Sequence, residues 1–154
     1  MKPRTIALAL LLCLAGAAVC FASDVYMGTW KLNEAKSKLS ASGGKNSTVT
    51  YEAAGDSVKV TIDGVSADGK PVHDEWTGKI DGKDYAVTGD PASDMRSYKK
   101  VNDHAMTFTV KKDGKSVITG RIVVAADGKT RTVTSSSMDS NGKKTSTTAV
   151  YDKE

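Results

Sequence analysis

HAMTFTVKKDGKSVITG, residues 104–120, is the stretch that decides the fold of this chain. Met106, Phe108 and Val110 alternate with Thr107, Thr109 and Lys111. Period two puts the apolar set on one face of an extended strand and the polar set on the other. Asp113-Gly114-Lys115 interrupts the pattern. Asp-Gly suits a tight hairpin, because Gly has no Cβ and Asp tolerates the left-handed region. Beyond it, Ile118, Ile122 and Val124 fall on one parity, and Val117, Thr119, Arg121 and Val123 on the other. The stretch predicts two antiparallel strands, 105–112 and 116–125, with a turn between them.

The same tripeptide recurs at Asp68-Gly69-Lys70, Asp81-Gly82-Lys83 and Asp127-Gly128-Lys129, with Asn141-Gly142-Lys143 as a near copy. The interval from 68 to 81 is 13 residues, and those from 113 to 127 and 127 to 141 are 14. One strand plus one turn fills that length. The longer interval, 81 to 113, contains two further joins, GDPAS and VNDH. A calcium loop would need several acidic ligands at alternate positions. Asp139-Ser140-Asn141-Gly142 comes nearest, and Ser137 stands where its first ligand should be. No metal site is expected at these turns. The pattern predicts ten strands: 26–32, 46–53, 57–63, 71–79, 84–89, 94–101, 105–112, 116–125, 130–138 and 143–152. Strand 57–63, SVKVTID, alternates as strictly as the first.

The N-terminus reads as a secretory leader. Lys2 and Arg4 precede an apolar run from Ile6 to Val19, and small residues follow near Ala22. The run is shorter than the roughly 20 residues of a bilayer span. Cleavage after Ala22 leaves one domain, 23–154, in the periplasm or outside the cell. Lipid anchoring at Cys20 is the minor variant, since Ala17 and Val19 depart from the usual lipoprotein residues. Cys13 and Cys20 both leave with residues 1–22, which excludes disulfide and thiol chemistry in the rest. The remainder holds 20 basic and 18 acidic residues, a net charge of +2. That balance, without a basic stripe, argues against nucleic-acid binding. A monomer with no stable membrane span is expected.

Ten strands joined in order form an up-and-down sheet, whose exposed edges invite aggregation unless it closes into a barrel. Gly28-x-Trp30 on the first strand resembles the G-x-W signature of the calycins, the lipocalins and fatty-acid-binding proteins. The resemblance implies a barrel-end role for Gly28 and Trp30. The C-terminal AVYDKE is similar to the closing strand of fatty-acid-binding proteins, and so is the strand count. With its GTWKLN start, AKSK stretch, DGK turns and VYDK end, the chain is more similar still to a group of secreted bacterial proteins of no established activity. Two departures stand out. Residues 33–45 leave room for one short helix, about 33–39, where fatty-acid-binding proteins carry a two-helix lid. Their Arg-x-Tyr carboxylate pair finds Tyr151 here, but Ala149 in place of the Arg. That puts such a head-group site in doubt, although Arg96, Arg121 or Arg131 could serve from a neighbouring strand.

Seven aromatic residues besides Phe108 follow the leader, too few to fill a ten-stranded interior with the remaining Val, Ile, Met, Thr and Ser. A hydrated, partly apolar cavity follows, unless the barrel flattens. The lining candidates are Trp76, Tyr85, Arg121 and Tyr151. Trp76 has the parity of Val72, Asp74 and Ile80; Tyr98 reads as an exposed sheet residue. Arg121 points either outward or into a polar cavity.

His73-Asp74-Glu75 is the one segment that tempts an enzymatic reading, since His73 and Glu75 share a face. Acid–base work needs a pocket and a nucleophile, and the sequence offers neither there. A haem-ligating role for His73 or His104 lacks a nearby apolar slot. No enzyme activity and no cofactor are expected. The reading is a secreted barrel that encloses a small lipophilic or amphipathic ligand. The alternative is a non-enzymatic envelope or interaction protein with a filled or collapsed barrel.

Overall fold

The structure is a computed structural model that describes residues 24–40, 43–138 and 142–154. The predicted leader, the minor anchoring variant at Cys20 and residues 139–141 of the last turn lie outside the described residues. Ten strands follow in order: β1 (Gly28–Leu32), β2 (Lys45–Ala54), β3 (Ser57–Val65), β4 (Pro71–Gly78), β5 (Tyr85–Thr88), β6 (Met95–Asn102), β7 (Ala105–Lys112), β8 (Lys115–Val124), β9 (Thr130–Met138) and β10 (Lys144–Lys153). Each pairs antiparallel with its sequence neighbours, and β1 also pairs with β10, which closes the barrel. At the closure Trp30 stands opposite Val49 on one side and Lys153 on the other. Closure gives β1 and β10, the two terminal strands, a partner on both sides, which removes the edges an open sheet would expose there.

The repeated tripeptide sits at turns, as expected. Its glycines have positive φ, from 69° at Gly128 to 84° at Gly82. Asp113 shares the left-handed region at 48°. The one short helix expected over 33–39 is a single 3₁₀ turn, Glu34–Lys36. The Asn33 side chain caps it by accepting from the Lys36 N–H. Lys38 then bonds back to Thr148, which holds this segment against β10.

One part of the interior is packed. Trp30, Val60, Trp76, Met106 and Val124 are all within 2% of full burial. Burying a large apolar side chain is worth about 1.5–3 kcal/mol, so this layer contributes much of the stability. The Trp30 indole donates to the Tyr26 carbonyl at 2.7 Å, and the Trp76 indole to the Arg96 carbonyl at 2.8 Å. Both buried N–H groups are thereby satisfied.

Tyr98 corrects the expectation of an exposed residue. It is buried, its ring 4.8 Å from Trp76 and edge-on to it. Its parity neighbour Lys100 suggested a wet face. However, Lys100 lies at the strand end, beside an irregularity in the β6–β7 register, and stays exposed there.

Candidate functional site

The barrel holds a cavity of about 520 Å³. Ligand pockets commonly measure about 300–1,000 Å³. Antiparallel order brings the segment before β2, the β3–β4 and β5–β6 loops and the β9–β10 hairpin to the same end. Ser40, Gly43, Ser66, Asp90 and Ser137 from these regions border the cavity, so this end is its mouth. The packed layer closes the other end, since none of its five members lines the cavity.

Its walls are of two kinds. Val49, Ile62, Val110, Ile118, Ile122 and Val133 supply apolar surface. On the last hairpin the inward rows are polar near the mouth. Ser135 shares a hydrogen bond with Thr147 at 2.8 Å, and Ser137 with Thr145 at 2.9 Å. Further in, Val133 faces Ala149, and Arg131 faces Tyr151.

Two arginines enter the cavity wall, and they differ in one respect. Arg96 is 5% exposed and meets both Asp74 oxygens at 3.1 Å. Burial works against its charge, but Tyr98 and the Asp74 carboxylate outweigh that and raise its pKa. Arg131 is 2% exposed, and its Nε and Nη1 have no hydrogen-bond partner among the described residues. Its guanidinium lies 4.6 Å from the Tyr151 ring, 5.0 Å from Trp30 and 5.2 Å from Tyr51. Aromatic rings stabilise a cation through their negative faces. They do not satisfy its N–H groups. Arg131 thus sits between the packed layer, through Trp30, and the cavity.

Of the four lining residues named from sequence, the structure brings only Tyr151 to the cavity. Its hydroxyl donates to the Asn46 carbonyl at 3.1 Å. Burial pushes its pKa up to about 12, while Arg131 pulls it the other way. Trp76 belongs to the packed layer. Tyr85 is half-buried, edge-on to Trp76 at 5.8 Å, and its hydroxyl donates to Asp81. Arg121 is exposed on the outer face, because β8 turns Ile118, Ile122 and Val124 inward. The arginines that do face inward, Arg96 and Arg131, were named from sequence only as candidates to serve from a neighbouring strand; Arg96 shares the parity of Tyr98, which read as exposed, and only the β9–β10 pairing sets Arg131 opposite Tyr151.

Gly28 has φ of 99° beside Lys153, and the Lys153 ammonium lies 5.1 Å from the Trp30 ring. The barrel-end motif therefore sits at the β1–β10 closure. His73 and Glu75 lie on the outer wall, away from the cavity. His73 Nδ1 is 2.6 Å from Asp63, and that hydrogen bond and charge raise its pKa. His104 is half-buried and does not line the cavity either. Among the described residues no group of three His, Cys, Asp or Glu is placed to hold a metal ion. No described helix is long and apolar enough to cross a membrane.

No protein-family model matches the sequence, and no curated protein matches it. Solved structures do. EF1p2_mFAP2b bound to DFHBI is 9% identical, with 86% of this chain and 97% of that one covered and a TM-score of 0.50. A redesigned β-barrel, mFAP1 bound to DFHBI, is 15% identical, over 86% and 98% of the two chains, with a TM-score of 0.46. Lobster apocrustacyanin A1 is 12% identical, over 86% and 63%, with a TM-score of 0.43. At these identities the likeness concerns the fold alone: a closed antiparallel β-barrel.

Proposed function

We propose that this protein is an exported, monomeric binding protein that encloses a small lipophilic or amphipathic ligand without chemical turnover. The observation that carries the reading is the 520 Å³ cavity, with apolar walls and, at its inner end, a buried cation two of whose nitrogens lack a hydrogen-bond partner among the described residues. Burying about 300 Å² of apolar ligand surface is worth about 7 kcal/mol before ordering costs. Arg131 and the hydroxyls of β9 and β10 supply the few polar groups that orient a bound molecule. The leader pattern at residues 1–22 supports export, and the balanced charge argues against nucleic acid as the partner. EF1p2_mFAP2b, similar to this chain in fold, was solved bound to the small molecule DFHBI, which fits the same reading.

The test is displacement of a fluorescent fatty-acid probe, read beside native mass spectrometry of protein from its own host. Saturable binding that Ala149→Trp abolishes, with the fold intact by circular dichroism, supports enclosure, because Ala149 lines the cavity. Failure to bind across several lipid classes would favour the envelope or interaction role.

A further inference from the structure

The barrel wall is uneven. β3 and β4 stay in register from Val58 opposite Gly78 to Val65 opposite Pro71. β5 is four residues long and meets β4 only where Glu75 faces Thr88 and Trp76 faces Val87. The mouth-side part of β4, Pro71 to Asp74, therefore has no paired strand on its β5 side. Gly89 marks where the chain departs. Its φ is 89°, and a Cβ there would collide with the His73 carbonyl oxygen.

Residues 89–94 lead from β5 to β6; Gly89 abuts His73 of β4, and Asp90 and Ala92 border the cavity. The segment is tied to itself more than to the wall. Asp90 accepts from the Ala92 N–H at 2.8 Å and from the Ser93 hydroxyl at 2.7 Å. At the far end Asp94 is anchored: its N–H donates to the Lys111 carbonyl, and its carbonyl accepts from Val87. Between Gly89 and Asp94, no hydrogen bond or ion pair joins the segment to β4 among the described residues. What crosses from β6 to β4 lies inside. The Arg96 guanidinium meets Asp74, and the Arg96 carbonyl accepts from Trp76. Asp74, Asp90, Ala92 and Arg96 all border the cavity.

We propose that residues 89–94 form a flap over a gap in the wall beside β4, that the Asp74–Arg96 ion pair latches it, and that ligands pass there. The route rests on the enclosure reading; the latch does not. A bidentate pair with both side chains about 5% exposed is costly to break by removing one partner, because the other charge is left buried. It holds the two flanking strands together where β5 does not. A ligand that reaches Asp74 or Arg96 competes for the same groups, so entry and unlatching are coupled.

Hydrogen exchange tests the latch without any ligand. Asp74→Asn should raise exchange at least tenfold in amides of residues 85–94, with those of β2 and β9 unchanged. Asp74→Leu with Arg96→Met, an apolar bridge of similar bulk, should restore slow exchange. Uniformly faster exchange over the whole barrel, or none, overturns the latch. Stopped-flow mixing with the fatty-acid probe tests the route. Asp74→Asn should speed association and release together by at least fivefold, with a smaller change in Kd. Faster exchange with unchanged rates overturns the route and leaves the latch. Absence of probe binding to the wild-type protein sinks the enclosure reading and the route with it, while the exchange result still decides the latch.

Discussion

Arg131 and Tyr151 stand directly opposite each other on the last hairpin, with the guanidinium 4.6 Å from the ring centroid. The ring covers one face of the cation and leaves its N–H groups on Nε and Nη1 unpartnered. A buried donor without a partner costs about 1–3 kcal/mol, more when charged. Arg96 is already paired with Asp74, whereas no carboxylate pairs with Arg131 among the described residues, so the inner end of the cavity carries one positive charge free to meet an anion. A carboxylate probe should bind at least tenfold tighter than its methyl ester, and Arg131→Met should remove that difference while the ester still binds. Isothermal titration of both ligands decides it, with a melting curve to show that the variant is folded. Equal affinities in the wild-type protein would refute the role.

Trp30 is fully buried in the packed layer, and its indole N–H is satisfied by Tyr26. Trp30→Ala should cost about 3–5 kcal/mol, the usual range for a buried tryptophan. Urea denaturation should show the loss as a lower midpoint with an unchanged slope.

Gly120 lies under the Phe108 ring, which a Cβ would meet at 2.5 Å, and beside the Thr134 carbonyl at 2.6 Å. Backbone cannot yield as a flexible side chain does. Gly120→Ala should therefore destabilise by about 1–3 kcal/mol through overpacking. It should also shift the Phe108 ring resonances in the proton spectrum. A neutral Gly120→Ala would show that β8 and β9 can separate at little cost.

His73 offers a pH-dependent prediction on the outer wall. Its pKa is raised above 6.5 by the hydrogen bond and charge of Asp63, with a smaller contribution from Glu75. Stabilisation from this pair is fully present below the unfolded value and is lost as pH rises through the folded one. An NMR titration should place the His73 midpoint above 6.5, and Asp63→Asn should lower it. Probe binding should be indifferent to this titration, because His73 does not line the cavity.

The strand pattern was open to reading because its cause is local. Met106, Phe108 and Val110 alternate with polar residues whatever the rest of the chain does, and Asp-Gly bends the backbone wherever it stands. The candidate site was harder. Val133 is the one strongly apolar residue between Thr130 and Ser137, so β9 announces no inward face. Only pairing with β10 shows that 131, 133, 135 and 137 look inward, opposite 151, 149, 147 and 145. Trp76 has the correct parity for the interior but lies in the packed layer, and parity carries no information about depth along the barrel.

Taken alone, the order of residues determined where the chain extends, where it turns and which side chains share a face, since these follow from a two-residue backbone repeat and from glycine at positive φ. Tertiary structure alone decided the register in which β1 meets β10, where along the barrel the interior packs solidly around Trp30 and Trp76 and where it stays open, and that Arg96 finds a carboxylate while Arg131 does not among the described residues. Those outcomes depend on curvature and closure, which bring together residues as distant as Asp74 and Arg96 or Asn46 and Tyr151, and no local pattern encodes the distance between such pairs.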